Sequence, residues 1–241
     1  MKIKDYKEVI IMYNEDVYVR SKVDFTSKVM SQMGIGLFIT FLAAYLTYSS
    51  EAMLSLVFGN PFMVFVIMAV EIALVVYLSR RIDNMSLSEA RGGFYIYAAL
   101  NGLTLSSIFI AYEISSIYIT FFIAAVMFMA SGLIGMSIKR DISGLGQFFY
   151  MSLIGIIVMS IVNMFLRLPS VDIMISAIGV VLFSGITAYD MRKIKDIHYS
   201  VYNSVDVEAV SKYSILGALE LYLDFINIFL YLLNLTGRRN K

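Results

Sequence analysis

Four carboxylates lie inside or at the end of long apolar stretches of this chain: Glu71, Asp190, Glu220 and Asp224. A charged side chain at the centre of a bilayer costs about 2.5–3.5 kcal/mol on insertion scales. Glu220 and Asp224 are four residues apart and therefore share one face of a helix. Two carboxylates this close repel each other when both are ionised, so the pair tends to hold a proton near neutral pH. Such chemistry is typical of a proton or cation site.

Structural roles compete with this interpretation. Asp190 comes directly before a run of positive residues, and a charge at that place is often a simple interfacial group at a helix end. Glu71 could pair with an arginine for packing alone. The structural interpretation is poorest for Asp224, because a buried carboxylate needs a partner.

The residue inventory argues against an enzyme. The chain has no cysteine and His198 is its only histidine, which excludes disulfides, a Cys/His zinc site and a Cys-His nucleophile pair. Intramembrane aspartyl proteases also use two aspartates on neighbouring helices, but LELYLDFIN lacks their Gly-rich motif. We therefore expect no catalytic residues and no cofactor. The net charge of +1 favours no nucleic-acid partner.

The apolar stretches predict a single all-α membrane domain. Hydrophobic residues make up 59% of the 241 residues, charged residues 15%, and the mean hydropathy is +0.78. Stretches of about 18 residues or more are long enough to cross the hydrocarbon as helices. We predict six firm spans and a seventh that carries Glu220 and Asp224: Met30–Tyr48, Pro61–Ser79, Gly92–Tyr112, Ser116–Ile138, Gly146–Leu166, Ile173–Tyr189 and Tyr213–Leu235.

Smaller signals refine the helices. The two prolines, Pro61 and Pro169, stand where helices should begin, and Asn60 before Pro61 predicts an N-cap. Small residues four apart predict close helix contacts at two places, Ala98/Gly102 and Ser131/Gly135.

The loop charges predict the orientation. The loops opposite are mostly acidic. Positive residues cluster after the second, fourth and sixth spans, in that order: Arg80, Arg81 and Arg91; Lys139 and Arg140; Arg192, Lys193 and Lys195. By the positive-inside rule, residues 1–28 form a cytoplasmic segment before the transmembrane domain of residues 29–241. We expect no removable signal peptide, and a prokaryotic plasma membrane suits so compact a chain.

The C-terminal tail conflicts with this rule. A seventh crossing would place its three positive residues outside: Arg238, Arg239 and Lys241. The alternative is a last segment that re-enters the membrane without crossing it. We favour the crossing, because early helices usually set the topology.

Three segments resemble the Bax inhibitor-1 (TMBIM-type) family. LELYLDFINIFLYLLNL is similar to its C-terminal signature, FSGITAYDMRKIK to the end of its sixth helix, and VEIALVVYLSRR to its second helix. The resemblance extends from about Ser27 to Leu235. It implies seven helices, six of them around a central C-terminal one, and an aspartate pair that senses pH in a calcium leak.

The resemblance also assigns roles to single residues. Carried over by motif, the aspartate pair is Asp190 and Asp224, which would also bind calcium weakly and transiently. The family further implies an acidic residue on the second helix, Glu71, and an arginine latch on the first aspartate, here Arg80 or Arg81. The chain departs from the family pattern in a longer linker between the aspartates and in an acidic residue at 220, where a neutral one is usual.

The resemblance therefore implies a pH-sensitive calcium leak, with calcium as the permeant ion, protons as the regulator and membrane lipid as the surroundings. Two alternatives stay open. One is a non-conducting regulator of stress or of a membrane protease, which would contact a membrane protein partner through the N-terminal segment and the loop between the last two spans. The other is a proton-coupled transporter with Glu71, Glu220 and Asp224 as a relay, although the chain shows no internal repeat of the kind common in transporters.

Overall fold

A computed structural model describes residues 3–140, 142–202 and 207–240, with the side chains of residues 23–140, 142, 144–197 and 208–240. This part of the chain is almost wholly helical, and it contains seven helical spans long and apolar enough to cross a membrane. The protein is a multi-pass membrane protein. The predicted all-α class and the predicted number of spans are confirmed.

Nine α-helices and one 3-10 turn follow each other along the described chain: α1 Ile3–Tyr48, α2 Glu51–Phe58, α3 Pro61–Arg81, the turn Ile82–Asn84, α4 Leu87–Leu105, α5 Ser107–Ala111, α6 Ile114–Ser137, α7 Ser143–Leu166, α8 Pro169–Tyr202 and α9 Val207–Thr236. Two helices extend far beyond the predicted spans, and others exceed them by a few residues. Helix α1 begins at Ile3, and α8, which contains the sixth predicted span, ends at Tyr202. A helix can continue where the hydropathy of the sequence falls. The side chain of His198 and residues 203–206 of the predicted loop lie outside the described residues.

The predicted helix starts are present. The Asn60 side chain accepts a hydrogen bond from the backbone N–H of Phe62 at 3.0 Å, and Pro61 lies in the first turn of α3. A proline is tolerated there because the first N–H groups of a helix have no partner within it. Likewise α8 begins at Pro169, directly after a tight turn in which Arg167 adopts a left-handed conformation.

The C-terminal helix α9 is the most buried of the candidate spans. In its most apolar window 67% of the residues are buried, against 11–44% in the other six. Helix α9 packs against α1, α4, α6 and α8, whereas α3 packs mainly on α4 and α7 mainly on α8. The acidic residues of α9 are therefore positioned by the best-packed helix of the described chain.

Both predicted pairs of small residues lie at close helix contacts. A Cβ atom added to Gly135 of α6 would clash with the carbonyl oxygen of Ala188 in α8. A Cβ atom added to Gly102 of α4 would lie 2.5 Å from the carbonyl oxygen of Thr40 in α1. At these two places the absence of a side chain allows two backbones to touch.

The two ends of α9 lie at opposite ends of the bundle. Near its start, the Tyr213 hydroxyl donates to Oδ1 of Asp83, between α3 and α4, at 2.7 Å. After its end, the backbone N–H of Glu113, between α5 and α6, donates to the carbonyl oxygen of Arg238 at 2.9 Å. Helix α9 therefore extends from the level of the turn before α4 to the level of the turn after α5. The length of α9 fits a crossing, and the choice between a crossing and a re-entrant last segment stays a prediction.

Candidate functional site

Three carboxylates lie close together between α8 and α9, and we call Asp190, Glu220 and Asp224 the acid cluster. The two helices are antiparallel neighbours, so Asp190 on α8 lies opposite the two acidic residues of α9. The charge of Asp224 interacts with those of both other carboxylates. The structure therefore brings together the two predicted aspartates and adds the glutamate four residues before Asp224.

Asp224 is a deeply buried member of the acid cluster. Only 3% of its surface is exposed, and its Oδ2 atom has no hydrogen-bond partner among the described residues. The Oε2 atom of Glu220 is likewise buried and has no partner in the described part of the chain. A buried polar atom without a partner is costly, so these two oxygens indicate a role other than packing.

A lysine supplies the cation of the acid cluster. The Nζ atom of Lys193 lies 2.6 Å from Oε1 of Glu220, and the Lys193 charge also interacts with Asp190 and Asp224. From the sequence we expected Lys193 in a cytoplasmic loop, because hydropathy falls after Asp190. Helix α8 continues past this point, so Lys193 lies one turn after Asp190 on the same side of the helix. That spacing is the signal that could have identified it.

The two latch candidates lie apart from the acid cluster in this structure. Arg80 and Arg81 are exposed at the end of α3, and neither forms an ion pair with another described residue. The connection after α3 instead contacts the start of α9 through Asp83. A latch between either arginine and Asp190 stays a prediction.

Glu71 belongs to a separate polar network. The Thr104 hydroxyl donates to Oε1 of Glu71 at 3.1 Å, and Asn101 also hydrogen-bonds this carboxylate. The Tyr222 hydroxyl donates to Oδ1 of Asn101 at 3.0 Å and lies 2.6 Å from Oγ1 of Thr40. Polar side chains thus connect α3, α4, α9 and α1. A direct relay from Glu71 to the acid cluster is not formed by these hydrogen bonds.

The arrangement of the acidic side chains was also compared with the requirements of a metal site. Among the described residues, no group of three or more histidine, cysteine, aspartate or glutamate side chains is arranged to hold a metal ion. Calcium prefers six to eight oxygen ligands. Transient calcium binding by Asp190 and Asp224 stays a prediction.

Comparisons with known proteins agree with the sequence motifs. The model of the family described as inhibitor of apoptosis-promoting Bax1 matches residues 22–241. The inner membrane protein YbhL of Escherichia coli K12 is 42% identical over 215 residues, 89% of this chain and 92% of that protein. A Borreliella burgdorferi protein is 36% identical over 227 residues, 94% of this chain and 96% of that protein. Rickettsia prowazekii RP147 is 40% identical over 212 residues, 88% of each chain. The chain belongs to the Bax inhibitor-1 family.

Proposed function

We propose that the protein is a calcium leak of the membrane that opens when the acid cluster takes up protons. One observation carries the proposal: Asp224 is buried in the C-terminal helix, beside two further carboxylates, with an oxygen that has no partner among the described residues. A carboxylate in the membrane interior is rare and usually marks an ion or proton pathway.

The charge balance of the acid cluster favours exchange of protons for cations. Its three carboxylates interact with the ammonium group of Lys193. In a poorly hydrated site like charges cannot all be ionised without a large cost, so the balance is restored either by protons or by passing cations. The same oxygens that bind a proton can therefore bind calcium, and the two compete.

Calcium binding in such a site is weak, and weak binding suits passage. Two or three carboxylates supply fewer ligands than calcium prefers, so the ion keeps part of its water shell. An ion must bind well enough to enter a pathway and loosely enough to leave it. Protonation changes the charge balance between α8 and α9, and with it the packing of the two helices around the acid cluster.

The proposal includes an orientation of the helix bundle in the membrane. Positive residues after α3, after α6 and in α8 favour a cytoplasmic location for that end of the bundle, and with it for residues 1–28. The C-terminal tail then lies outside, and its two arginines are tolerated because the earlier loops decide the topology. Calcium moving down its gradient would enter the cytoplasm through the acid cluster.

Calcium flux into dye-loaded proteoliposomes tests the proposal. Flux of the wild type should rise between about pH 8 and pH 6, the range in which buried carboxylates can titrate. Asp190→Asn and Asp224→Asn should each change the pH dependence. Glu51→Gln, which alters an exposed carboxylate at the start of α2, should leave it unchanged.

Two results would count against the leak. Flux with unaltered pH dependence in both cluster variants rejects the gating mechanism. Absence of flux at every pH from folded protein favours the non-conducting regulator, which would act through a membrane protein partner.

A further inference from the structure

Polar side chains also lie at the opposite end of the contact between α8 and α9. There Asn234 of α9 donates from Nδ2 to Oγ of Ser176 in α8 at 2.8 Å. Because the two helices are antiparallel, Ser176 and Asn234 lie on the same helix contact as Asp190 and Asp224, closer to the C-terminal tail. The contact is therefore polar at both ends.

A cavity of about 430 Å³ opens between α7, α8 and α9 at this end. Its walls carry mainly polar side chains: Ser160, Asn163, Arg167, Asp172, Ser176 and Asn234. The buried Asn163 stabilises the wall, since its side chain accepts from the backbone N–H of Leu168 at 3.1 Å and donates to Oδ1 of Asp172 at 2.5 Å. A polar cavity of this size has room for several water molecules.

Along α8 and α9, an aromatic pair lies between the level of this cavity and the level of the acid cluster. Tyr231 lines the cavity, and its ring lies 5.8 Å from that of Phe183, centre to centre. The ring rests on Gly179, where an added Cβ atom would lie 2.6 Å from Cδ2 of Tyr231. Asp224 lies seven residues before Tyr231 on α9, about 10 Å away along the helix axis.

We propose that this cavity is the outer vestibule of the conduction pathway, occupied by water and hydrated cations, and that Tyr231 is the gate between the vestibule and the acid cluster. The inference rests on the proposed function, for which it names the outer half of the path. The vestibule carries one carboxylate, Asp172, and one guanidinium, Arg167, with amide and hydroxyl groups between them. The vestibule therefore has no strong net charge but offers oxygen ligands to cations. Such a lining favours the passage of cations over their retention.

The absence of cysteine from the chain permits a direct test with single cysteines. Ser160→Cys places an exposed thiol at the vestibule, and Thr187→Cys places a buried one beside Asp224, on the other side of the Tyr231 ring. A membrane-impermeant thiol reagent is applied to spheroplasts, where the outer face is accessible, and to inverted vesicles. We expect Ser160→Cys to react from the outer face only and Thr187→Cys to be protected from that face.

Removal of the gate should expose the inner thiol. Tyr231→Ala should raise the outer-face reaction rate of Thr187→Cys about two- to tenfold, the range that corresponds to loss of an aromatic pair of about 0.5–1.5 kcal/mol. Gly179→Ala displaces the same ring and should act in the same direction, so the test survives a folding defect in either variant. Phe229→Ala is the matched control, because this buried aromatic of α9 packs on α6 instead.

The outcomes separate the gate from the leak. An unreactive Ser160→Cys in folded protein overturns the vestibule, and a Thr187→Cys rate unchanged by both gate variants overturns the gate. Equal acceleration by Phe229→Ala also overturns the gate, because it shows general loosening of α9. The expected labelling pattern without calcium flux upholds the vestibule and gate while rejecting calcium as the permeant ion.

Discussion

Replacement of Lys193 by glutamine should move the midpoint of the pH-dependent flux to higher pH. In the wild type the ammonium group of Lys193 lies 2.6 Å from Glu220 and interacts with Asp190 and Asp224. A positive charge beside carboxylates favours their ionised form. Without it the acid cluster takes up protons more readily, so the leak opens at a lower proton concentration.

The size of this shift follows from the exposure of the ion pair. Two charges 4 Å apart attract by about 4 kcal/mol at an effective dielectric constant of about 20, whereas exposed pairs contribute about 0.2–1 kcal/mol. The Lys193 side chain is 44% exposed and that of Glu220 23%, so the attraction is closer to that of an exposed pair than to about 4 kcal/mol. An interaction of about 0.7–1.4 kcal/mol corresponds to about 0.5–1 pH unit.

Two further variants make the flux assay decisive. Lys193→Arg keeps the positive charge and should retain the wild-type midpoint. Arg192→Gln removes a positive charge from the neighbouring residue, whose ion pair with Asp196 spans 3.2 Å and lies outside the acid cluster. A shift to lower pH in Lys193→Gln refutes the reasoning, and so does an equal shift in Arg192→Gln, since the effect would then be one of surface charge in general.

Two predictions concern stability, measured as the melting temperature of the purified protein in detergent. Tyr222→Phe removes the hydroxyl that donates to Asn101. It should destabilise the protein by about 1–2 kcal/mol, because a membrane hydrogen bond of about 0.6 kcal/mol is lost and both the half-buried Asn101 amide and the buried Thr40 hydroxyl lose a partner. Tyr97→Phe, which loses no hydrogen bond to any described residue, is its control, and equal melting temperatures of the two variants contradict the prediction. Gly135→Ala forces a methyl group against a backbone carbonyl of α8 and should cost about 1–3 kcal/mol by overpacking. In the matched variant Gly155→Ala the added methyl group meets no atom within 4 Å, so a similar loss in both variants contradicts the close-contact explanation.

Much of the fold could be predicted because apolar length and helix-end signals are local properties of the sequence. The spans follow from runs of apolar residues, and Asn60 with Pro61 identifies a helix start by chemistry that needs no tertiary contact. The end of α8 could not be found in the same way. Hydropathy marks the membrane boundary near Asp190, but no glycine or proline stops the helix between that residue and Tyr202.

The carboxylates of the candidate site could be predicted from the sequence, whereas its lysine could not. Carboxylates inside apolar sequence are conspicuous, so the three members of the acid cluster could be found by inspection. Lys193 was hidden among other positive residues at a helix end, where a cation is ordinary, and only the packing of α8 on α9 assigns it to Glu220. The vestibule was also missed, because Asn163, Ser176 and Asn234 are single polar residues on three separate helices.

The position of Lys193 gives a reason for Glu220, where the family resemblance implies a neutral residue. An additional carboxylate beside two aspartates would by itself upset a pair that shares protons, since it adds a further negative charge in a poorly hydrated place. Here the additional anion is paired with a cation one turn after Asp190, so the sum of the two new charges is zero. Asp190 and Asp224 are then left as the pair that is not neutralised, which is the arrangement that the family resemblance implies. The two aspartates can still share protons, and an arginine of α3 could still approach Asp190 without competing with Lys193 for Glu220.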